Sequence, residues 1–352
     1  MKILVLGGGA QGRVIANDLA RSMPGATIHV ADVREPRLDP HPGLRFVEAE
    51  LSDIETVARL LHRYDFGVGA LPSRFGPGAM RAAIDCRRTL VDVSFAAEDA
   101  LDLDDRAKRA GIAILPDCGV APGLSHLLVG DAVQRFGAPA SIEILVGAIA
   151  QDASRPYGYV VTWSLDDLLE VYTRPARFVR QGKEVSEPVL EAVEPVEIAG
   201  VGTMEAFVSD GLRTLIRTMS SVPEMAEKIL RWPGHVAAIR PLVEQGRLIE
   251  EFREKCVVEP AEDLVVLVVR ASWNGRSIEH VMTDRYDRAT GLTAMSRTTA
   301  FTTSVVAQLV AEGGVSATGV LPLELVAREP GTVEFVLGEM RKRGVAFRSR
   351  EN

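Results

Sequence analysis

Three cysteines, Cys86, Cys118 and Cys256, are all that this chain of 352 residues contains. They are far apart and form no CxxC pair, so they build neither a disulfide framework nor a sequence-local zinc site. Such sparse, odd-numbered usage suits a reducing cytoplasm. Positive charge is also short: 40 Lys and Arg stand against 48 Asp and Glu, a net charge of −8, with a pI near 5.4. That removes any global pull toward nucleic acid or an anionic membrane surface. The apolar run Leu264 to Val269 is six residues long, far short of the ~20 that a membrane helix needs. After Met1 and Lys2 the chain enters Ile3-Leu4-Val5-Leu6 and three glycines directly, so no export signal is expected. No pair of histidines has metal-ligand spacing, and no repeat or low-complexity tract is present. What remains is a globular composition, 47% hydrophobic and 25% charged, which at this length predicts two domains.

Over the first ~120 residues short apolar runs alternate with helix-like stretches, the βαβ rhythm of a doubly wound parallel sheet. Ile3 to Leu6, Thr27 to Ala31, Arg45 to Glu48, Phe66 to Ala70, Leu90 to Val93 and Ile112 to Leu115 read as six strands. Ser52-Asp53-Ile54-Glu55 has the form of a capping box, and Ile54, Val57, Ala58 and Leu61 then recur at helical spacing. Beyond about Pro122 the pattern predicts longer alternating strands, a helical stretch from Gly211 to Ile249, and a hairpin about Asn274-Gly275 between Leu264–Trp273 and Arg276–Tyr286. Lys183 to Pro195 reads as an exposed loop, and Ala294 to Ala311 as a long helix running back toward the first domain. The expected fold class is α/β: a Rossmann domain of residues 1–123 completed by 295–352, with a mixed α/β domain of residues 124–294 inserted.

Gly7-Gly8-Gly9-Ala10-Gln11-Gly12 fits G-x-G-x-x-G directly after a first strand. In that motif Gly7 permits the tight turn, Gly9 lets backbone approach a pyrophosphate, and Gly12 allows close helix–strand packing. The following helix N-terminus, including Ala10 and Gln11, supplies N–H groups for phosphate. Asp32 stands 20 positions past Gly12 at the end of the second strand, where a carboxylate bonds an adenosine ribose 2′-OH and repels a 2′-phosphate. NAD is therefore expected over NADP, with Val33 beside the same nucleotide and Arg34 as the feature that keeps NADP open. Ala70-Leu71-Pro72, Asp92-Val93-Ser94 and Asp117-Cys118-Gly119 fall at the carboxyl ends of later strands, where the ligand crevice of an open sheet lies. Ala70, Leu71, Pro72, Asp92 and Ser94 are accordingly candidates for cofactor contact.

Longer blocks carry a resemblance. Asp117-Cys118-Gly119-Val120-Ala121-Pro122-Gly123-Leu124, Tyr172-Thr173-Arg174-Pro175-Ala176-Arg177, Ser209-Asp210-Gly211-Leu212-Arg213-Thr214-Leu215, Leu230-Arg231-Trp232-Pro233-Gly234-His235 and Thr293-Ala294-Met295-Ser296-Arg297-Thr298-Thr299, with the glycine motif, resemble the saccharopine dehydrogenase-like family from Lys2 to about Glu324. The resemblance implies a Rossmann domain with an inserted substrate and oligomerisation domain, a homodimer or higher homo-oligomer, and NAD-dependent oxidation of a side-chain amine. The nearest branch implies the ε-amine of L-lysine as substrate. The chain departs from the family at Gly147-Ala148-Ile149-Ala150, where members often carry Gly-Gly-Leu-Pro, although Pro156-Tyr157-Gly158-Tyr159 follows as expected.

That chemistry assigns candidate roles. An amino-acid substrate needs a carboxylate clamp, and Arg213, read as lying in the first turn of a helix with Thr214, is the first candidate. The substrate ammonium, with pKa near ~10.4, must lose a proton before hydride leaves. His235, after the Trp232-Pro233-Gly234 turn, is a candidate base or relay, or else a structural histidine. Asp210 is a base, an ammonium ligand, or only the N-cap of the helix read from Gly211. Asp117 and Cys118 face the reacting centre if the crevice lies beside them, although Cys118 also reads as a small buried hydrophobe. Trp163 and Tyr157 are candidates for walling the aliphatic chain, and Thr298 for touching cofactor or capping the returning helix. The competing readings are a saccharopine-type or carboxyspermidine-type reductase acting on a secondary amine, with Arg155, Arg174, Arg177 and Arg231 as sources of a second clamp, and a non-catalytic NAD-binding regulator.

Overall fold

The computed structural model describes all 352 residues. Its strands are β1 (Lys2–Leu6), β2 (Thr27–Asp32), β3 (Leu44–Glu48), β4 (Phe66–Gly69), β5 (Leu90–Asp92), β6 (Ala113–Leu115), β7 (Ser141–Ala150), β8 (Ala176–Arg180), β9 (Lys183–Glu187), β10 (Val193–Ile198), β11 (Gly202–Ser209), β12 (Glu224–Arg231), β13 (Asp263–Trp273), β14 (Arg276–Arg285), β15 (Gly319–Val320) and β16 (Arg348–Glu351). The helices are α1 (Gly12–Ser22), α2 (Ile54–Leu61), α3 (Gly76–Asp85), α4 (Asp104–Ala110), α5 (Leu124–Phe136), α6 (Leu165–Thr173), α7 (Leu215–Thr218), α8 (His235–Glu244), α9 (Leu248–Lys255), α10 (Ala294–Ala311), α11 (Leu323–Val326) and α12 (Thr332–Lys342). The chain forms two compact units: Met1–Gly130 with Thr299–Gly344, and Asp131–Thr298 with Val345–Asn352. The crossings between units therefore fall inside α5 and α10, not at the expected 123/124 and 294/295. The last residues also depart from expectation, because Arg348–Glu351 pairs antiparallel with β14 in the second unit. No helix is long and apolar enough to cross a membrane.

The first unit is a seven-stranded sheet in the order β15-β6-β5-β4-β1-β2-β3, parallel at every pairing. Ile3, Leu4, Val5 and Leu6 are completely buried, the unbroken apolar run required of a parallel strand covered on both faces. All six strands read from the sequence are present within one residue of their expected bounds. The seventh, β15, joins β6 through only two residues, too short for periodicity to reveal. Strand order reverses between β1 and β4, the kind of switch point where open α/β sheets bind ligands. At α2 the cap is Asp53 rather than Ser52: its carboxylate accepts from the Glu55 and Thr56 N–H groups.

The second unit is a mixed sheet following β10-β11-β12-β7-β13-β14-β16, with β8 on β12 and β9 on β8. Only β12 and β7 run parallel. Gly275 takes φ +79° in the tight turn between Trp273 and Arg276, as the Asn-Gly pair requires. Two expectations fail here. The stretch read as helix from Gly211 to Ile249 contains strand β12 between two short helices and α7. Met, Ala, Glu, Lys and Leu in β12 favour helix by propensity, but pairing on both sides with β11 and β7 overrides that preference. Lys183–Pro195, read as a loop, supplies β9 and the start of β10, strands whose exposed charges resemble a loop in composition.

Charge is also used inside the first unit. Arg343 Nε donates to both oxygens of Asp18 at 3.0 and 2.9 Å, the Ser304 hydroxyl donates to the same carboxylate, and Arg343 Nη1 donates to Glu339. This largely buried pair ties α1, α10 and α12 together. Arg343→Ala should therefore lower the stability of the protein by about 3 kcal/mol, because it leaves the Asp18 carboxylate without its cation. Arg21→Ala, which removes the exposed Arg21–Asp39 pair, should cost no more than about 1 kcal/mol. Urea melts of the two variants check the contrast, and equal losses would refute it.

Candidate active site

In the first unit the glycine loop is shaped by contacts that no side chain would allow. A Cβ on Gly12 would lie 1.9 Å from the Gly7 carbonyl oxygen, and one on Gly7, whose φ is +97°, would lie 2.6 Å from the Ala70 oxygen. Helix α1 is thus pressed backbone to backbone against the loop, and Ala70 and Leu71 close against it from β4. At Gly9 the situation is opposite, since a Cβ there would meet nothing within 4 Å. Beside this open cradle the Gln11 side-chain amide is buried with no hydrogen-bond partner on either its oxygen or its nitrogen. Asp32 is held at the end of β2, its Oδ2 accepting from Gly8 N at 2.7 Å and its Oδ1 from Arg34 N at 3.1 Å. Val33 next to it is 51% exposed and offers an apolar surface at the same corner. The open Gly9, the orphaned amide and the anchored carboxylate fit a dinucleotide.

The remaining strand-end residues are less open. Asp92 is fully buried; its Oδ1 accepts from Ser94 N at 2.9 Å and from the Ser94 hydroxyl. Burial pushes its carboxyl up to about 6. Gly69 and Gly76 are bare where these side chains lie: a Cβ would fall 2.0 Å from Asp92 Oδ2 and 1.8 Å from Ser94 Oγ respectively. Asp92 and Ser94 are therefore an internal brace beneath the strand ends. Pro72 precedes a short turn at Ser73–Phe75. Asp117 is buried and takes φ +54°, a conformation that non-glycine residues adopt at a cost. Gly123 closes the same tight turn, with space for no Cβ between the Gly119 and Asp117 oxygens. The Cys118 thiol donates to the Leu115 carbonyl at 3.3 Å, and burial raises it well above its ordinary value, so it is a neutral structural group. A pair that sequence reasoning left without a role also sits in this unit: His126 Nδ1 lies 3.4 Å from Glu324 Oε2, both buried. Only the fold brings those two positions together.

In the second unit the expected helix start at Gly211 is absent. Arg213, 6% exposed, instead takes φ +49° ahead of α7, and the buried Thr214 hydroxyl beside it has no partner. Asp210 caps nothing: it receives Arg177 Nε and Nη2 at 2.7 and 3.0 Å, with Arg174 Nη1 at 3.8 Å. Gly211 is necessary because a Cβ there would fall 1.5 Å from Glu227 Oε1. Glu227, a buried carboxylate that accepts from the Ser209 hydroxyl at 3.1 Å, was not anticipated, and its place in a stretch read as helix concealed it. Thr298 uses its hydroxyl within its own helix, donating to the Ala294 carbonyl at 2.8 Å.

On the face of β12 that carries Glu227 lies Arg231, 3% exposed. Its guanidinium donates to Tyr172 Oη and the Leu230 carbonyl, both at 2.9 Å, and stands 5.2 and 5.5 Å from the Tyr159 and Tyr172 ring centres. Tyr172 Oη is 2.9 Å from His235 Nε2, and His235 Nδ1 is 2.7 Å from the Tyr157 carbonyl oxygen. Burial first, and the Arg231 cation second, push His235 down to about 3. Tyr157 donates its hydroxyl to Glu251 at 2.6 Å, Trp163 Nε1 donates to Tyr159 Oη at 3.1 Å, and Phe252 stacks on Tyr159 at 5.2 Å. Tyr157, Trp163 and His235, singled out separately in the sequence, thus belong to one aromatic cluster.

The glycines separate cofactor binding from folding. Gly9→Ala should leave the melting temperature within about 1 °C of wild type while weakening dinucleotide affinity by roughly tenfold or more, about 1.4 kcal/mol. Gly12→Ala should destabilise by several kcal/mol through the clash with Gly7. Calorimetric titration and thermal melts distinguish the two, and unchanged affinity in Gly9→Ala would remove the loop from the cofactor site.

Comparison with known proteins agrees with this arrangement. A family model described as "Saccharopine dehydrogenase NADP binding domain" matches residues 3–115, and one described as "Saccharopine dehydrogenase C-terminal domain" matches residues 119–345. The chain is 25% identical over 226 residues to saccharopine dehydrogenase [NADP(+), L-glutamate-forming] of Saccharomyces cerevisiae, covering 60% of this chain and 50% of that protein. It is 24% identical over 204 residues to mitochondrial alpha-aminoadipic semialdehyde synthase of Rattus norvegicus, covering 54% and 22%. The matched stretch thus spans half or less of these curated relatives. Among solved structures, apo saccharopine dehydrogenase (L-Glu forming) from Saccharomyces cerevisiae shares the fold, with a TM-score of 0.74 and 17% identity over 100% of this chain and 99% of that one. The chain belongs to the saccharopine dehydrogenase family.

Proposed function

We propose that the protein is an NAD-dependent dehydrogenase that oxidatively deaminates the ε-amine of L-lysine, releasing ammonia and 2-aminoadipate 6-semialdehyde, which cyclises to piperideine-6-carboxylate. The observation that carries the dehydrogenase reading is the first-unit cradle: open backbone at Gly9, the unpartnered Gln11 amide, and Asp32 fixed at the end of β2. Nicotinamide, when bound, accepts the hydride. Asp32 would hold the adenosine ribose diol and disfavour a 2′-phosphate, which supports NAD, although the matching family model is described as NADP binding.

The amine half of the reading rests on Arg213 and its surroundings. A buried arginine in a left-handed backbone conformation, next to the unpartnered Thr214 hydroxyl, supports recognition of the substrate α-carboxylate. Asp117, also held left-handed, is the proposed acceptor of the ammonium proton, and Tyr157 and Trp163 wall the aliphatic chain. A secondary-amine substrate of saccharopine type, which the curated relatives' names suggest, needs a second carboxylate clamp. Of the four candidates, Arg174 and Arg177 are already bound to Asp210, and Arg231 to Tyr172 and the Leu230 carbonyl, which leaves the exposed Arg155 as the remaining source of a second clamp. A homo-oligomer is proposed from the family resemblance alone.

NADH absorbance with L-lysine, L-ornithine, saccharopine and polyamines at alkaline pH, with ammonia measured in parallel, tests the substrate. NADH and ammonia from lysine alone are expected. NADH from saccharopine without ammonia would overturn the lysine reading in favour of the secondary amine, and tight NAD binding without turnover would favour a regulator. Asp32→Ala should shift the NAD to NADP affinity ratio toward NADP by roughly tenfold; an unchanged ratio would remove Asp32 from the ribose site.

A further inference from the structure

The Trp232-Pro233-Gly234-His235 turn and the Pro156-Tyr157-Gly158-Tyr159 segment are partners. Tyr157 and Gly158 both take φ +58°. A Cβ on Gly158 would lie 2.8 Å from the Trp232 indole, whose Nε1 is itself fixed to the Ala150 carbonyl at 2.9 Å. The imidazole of His235 meets the same turn at the Tyr157 carbonyl.

Donor and acceptor chemistry fixes the protons along this chain. A guanidinium can only donate, so Tyr172 Oη accepts from Arg231 Nε. The Tyr157 carbonyl can only accept, so at 2.7 Å from Nδ1 it places the His235 ring proton on Nδ1. In the neutral ring Nε2 is then the acceptor, and the Tyr172 hydroxyl, already accepting from Arg231, donates its proton there. Protonating His235 would set an Nε2–H against the Tyr172 hydroxyl, leave the tyrosine proton without its acceptor, and place a second cation beside Arg231. The other groups around the ring are the phenols of Tyr159 and Tyr172, both held above their ordinary values by burial, and the apolar ring of Phe252 at 6.4 Å. The neighbouring carboxylate is Glu205, whose two oxygens accept from the Gly234 and Val236 N–H groups at 2.9 and 2.6 Å rather than from the imidazole.

We infer that His235 is a positioning residue rather than a proton acceptor: as a fixed Nδ1–H tautomer, locked by Tyr172 and Arg231, it clamps the Tyr157 carbonyl and, with Trp232, holds the Tyr157–Gly158 turn in its left-handed form. The consequence is a defined place for the Tyr157 ring, whose hydroxyl is tied to Glu251 and whose face lies 5.5 Å from Phe252. That this ring walls the substrate rests on the functional reading above.

Two measurements decide the matter. In protein labelled with nitrogen-15 in its imidazoles, His235 is expected to show the neutral Nδ1–H form unchanged from about pH 5 to about pH 9. Titration in that window, or an Nε2–H form, would overturn the inference. In steady-state kinetics, His235→Ala should raise the KM for the amine by roughly tenfold with kcat lowered less than about threefold and with the pH profile of kcat/KM unmoved. His235→Asn, whose amide N–H superposes on Nδ1–H, should restore KM. Loss of a limb of the pH profile without rescue by Asn, or lowered thermal stability with KM unchanged, would refute the positioning role. A wild type that turned over no amine would fail the lysine reading, while the nitrogen-15 spectrum would still decide the state of His235.

Discussion

The first unit depends on one close approach, that of the Gly12 backbone to the Gly7 carbonyl. A Cβ at position 12 would stand 1.9 Å from that oxygen, so only glycine lets α1 begin directly against the loop that leaves β1. The N-terminus of α1 is then delivered to the carboxyl edge of the sheet, beside the point where strand order reverses. The bare Gly9, the unpartnered Gln11 amide and the Asp32 carboxylate all take their places from that approach. Glycines at 69 and 76 repeat the device one strand away, where they admit the Asp92–Ser94 brace.

Buried charge organises both units, and each such group takes at least one partner from a distant part of the chain. Asp18 is held by Arg343 and Ser304. Asp263 accepts from the Ala294 and Met295 N–H groups at 2.6 and 2.9 Å, capping α10, and burial pushes its carboxyl up to about 6. Arg231 has a tyrosine hydroxyl, a carbonyl and two aromatic faces around it. A guanidinium so placed is polar enough to orient Tyr172 yet removed from water, and that combination keeps the neighbouring imidazole neutral. His235 inherits its protonation state from these surroundings more than from its own chemistry.

The catalytic-looking residues of the sequence divide accordingly. The tight turn after β1, the start of α1 and the place of Asp32 at the end of β2 were legible because each is local to one βαβ unit. Arg213 was legible as a residue, but its conformation was not, since a helix was read where the chain makes a left-handed turn. Asp210 stayed open between base, ammonium ligand and helix cap, and His235 between base and structural histidine, because a sequence does not show that Arg177 and Arg174 meet the one, and Tyr172 and the Tyr157 carbonyl the other. Glu227 was hidden by the helix-forming composition of β12.

By itself the sequence determined the parallel sheet of the first unit, the dinucleotide loop, the Asn-Gly hairpin and the family, because each rests on periodicity, glycine placement or contiguous residue blocks. The tertiary structure alone decided that β12 is a strand, that the chain's last residues pair with β14, and which titratable groups are engaged. Strand pairing and burial are relations between positions far apart in the chain, and they outweigh local propensity wherever a central strand or an enclosed charge must be satisfied.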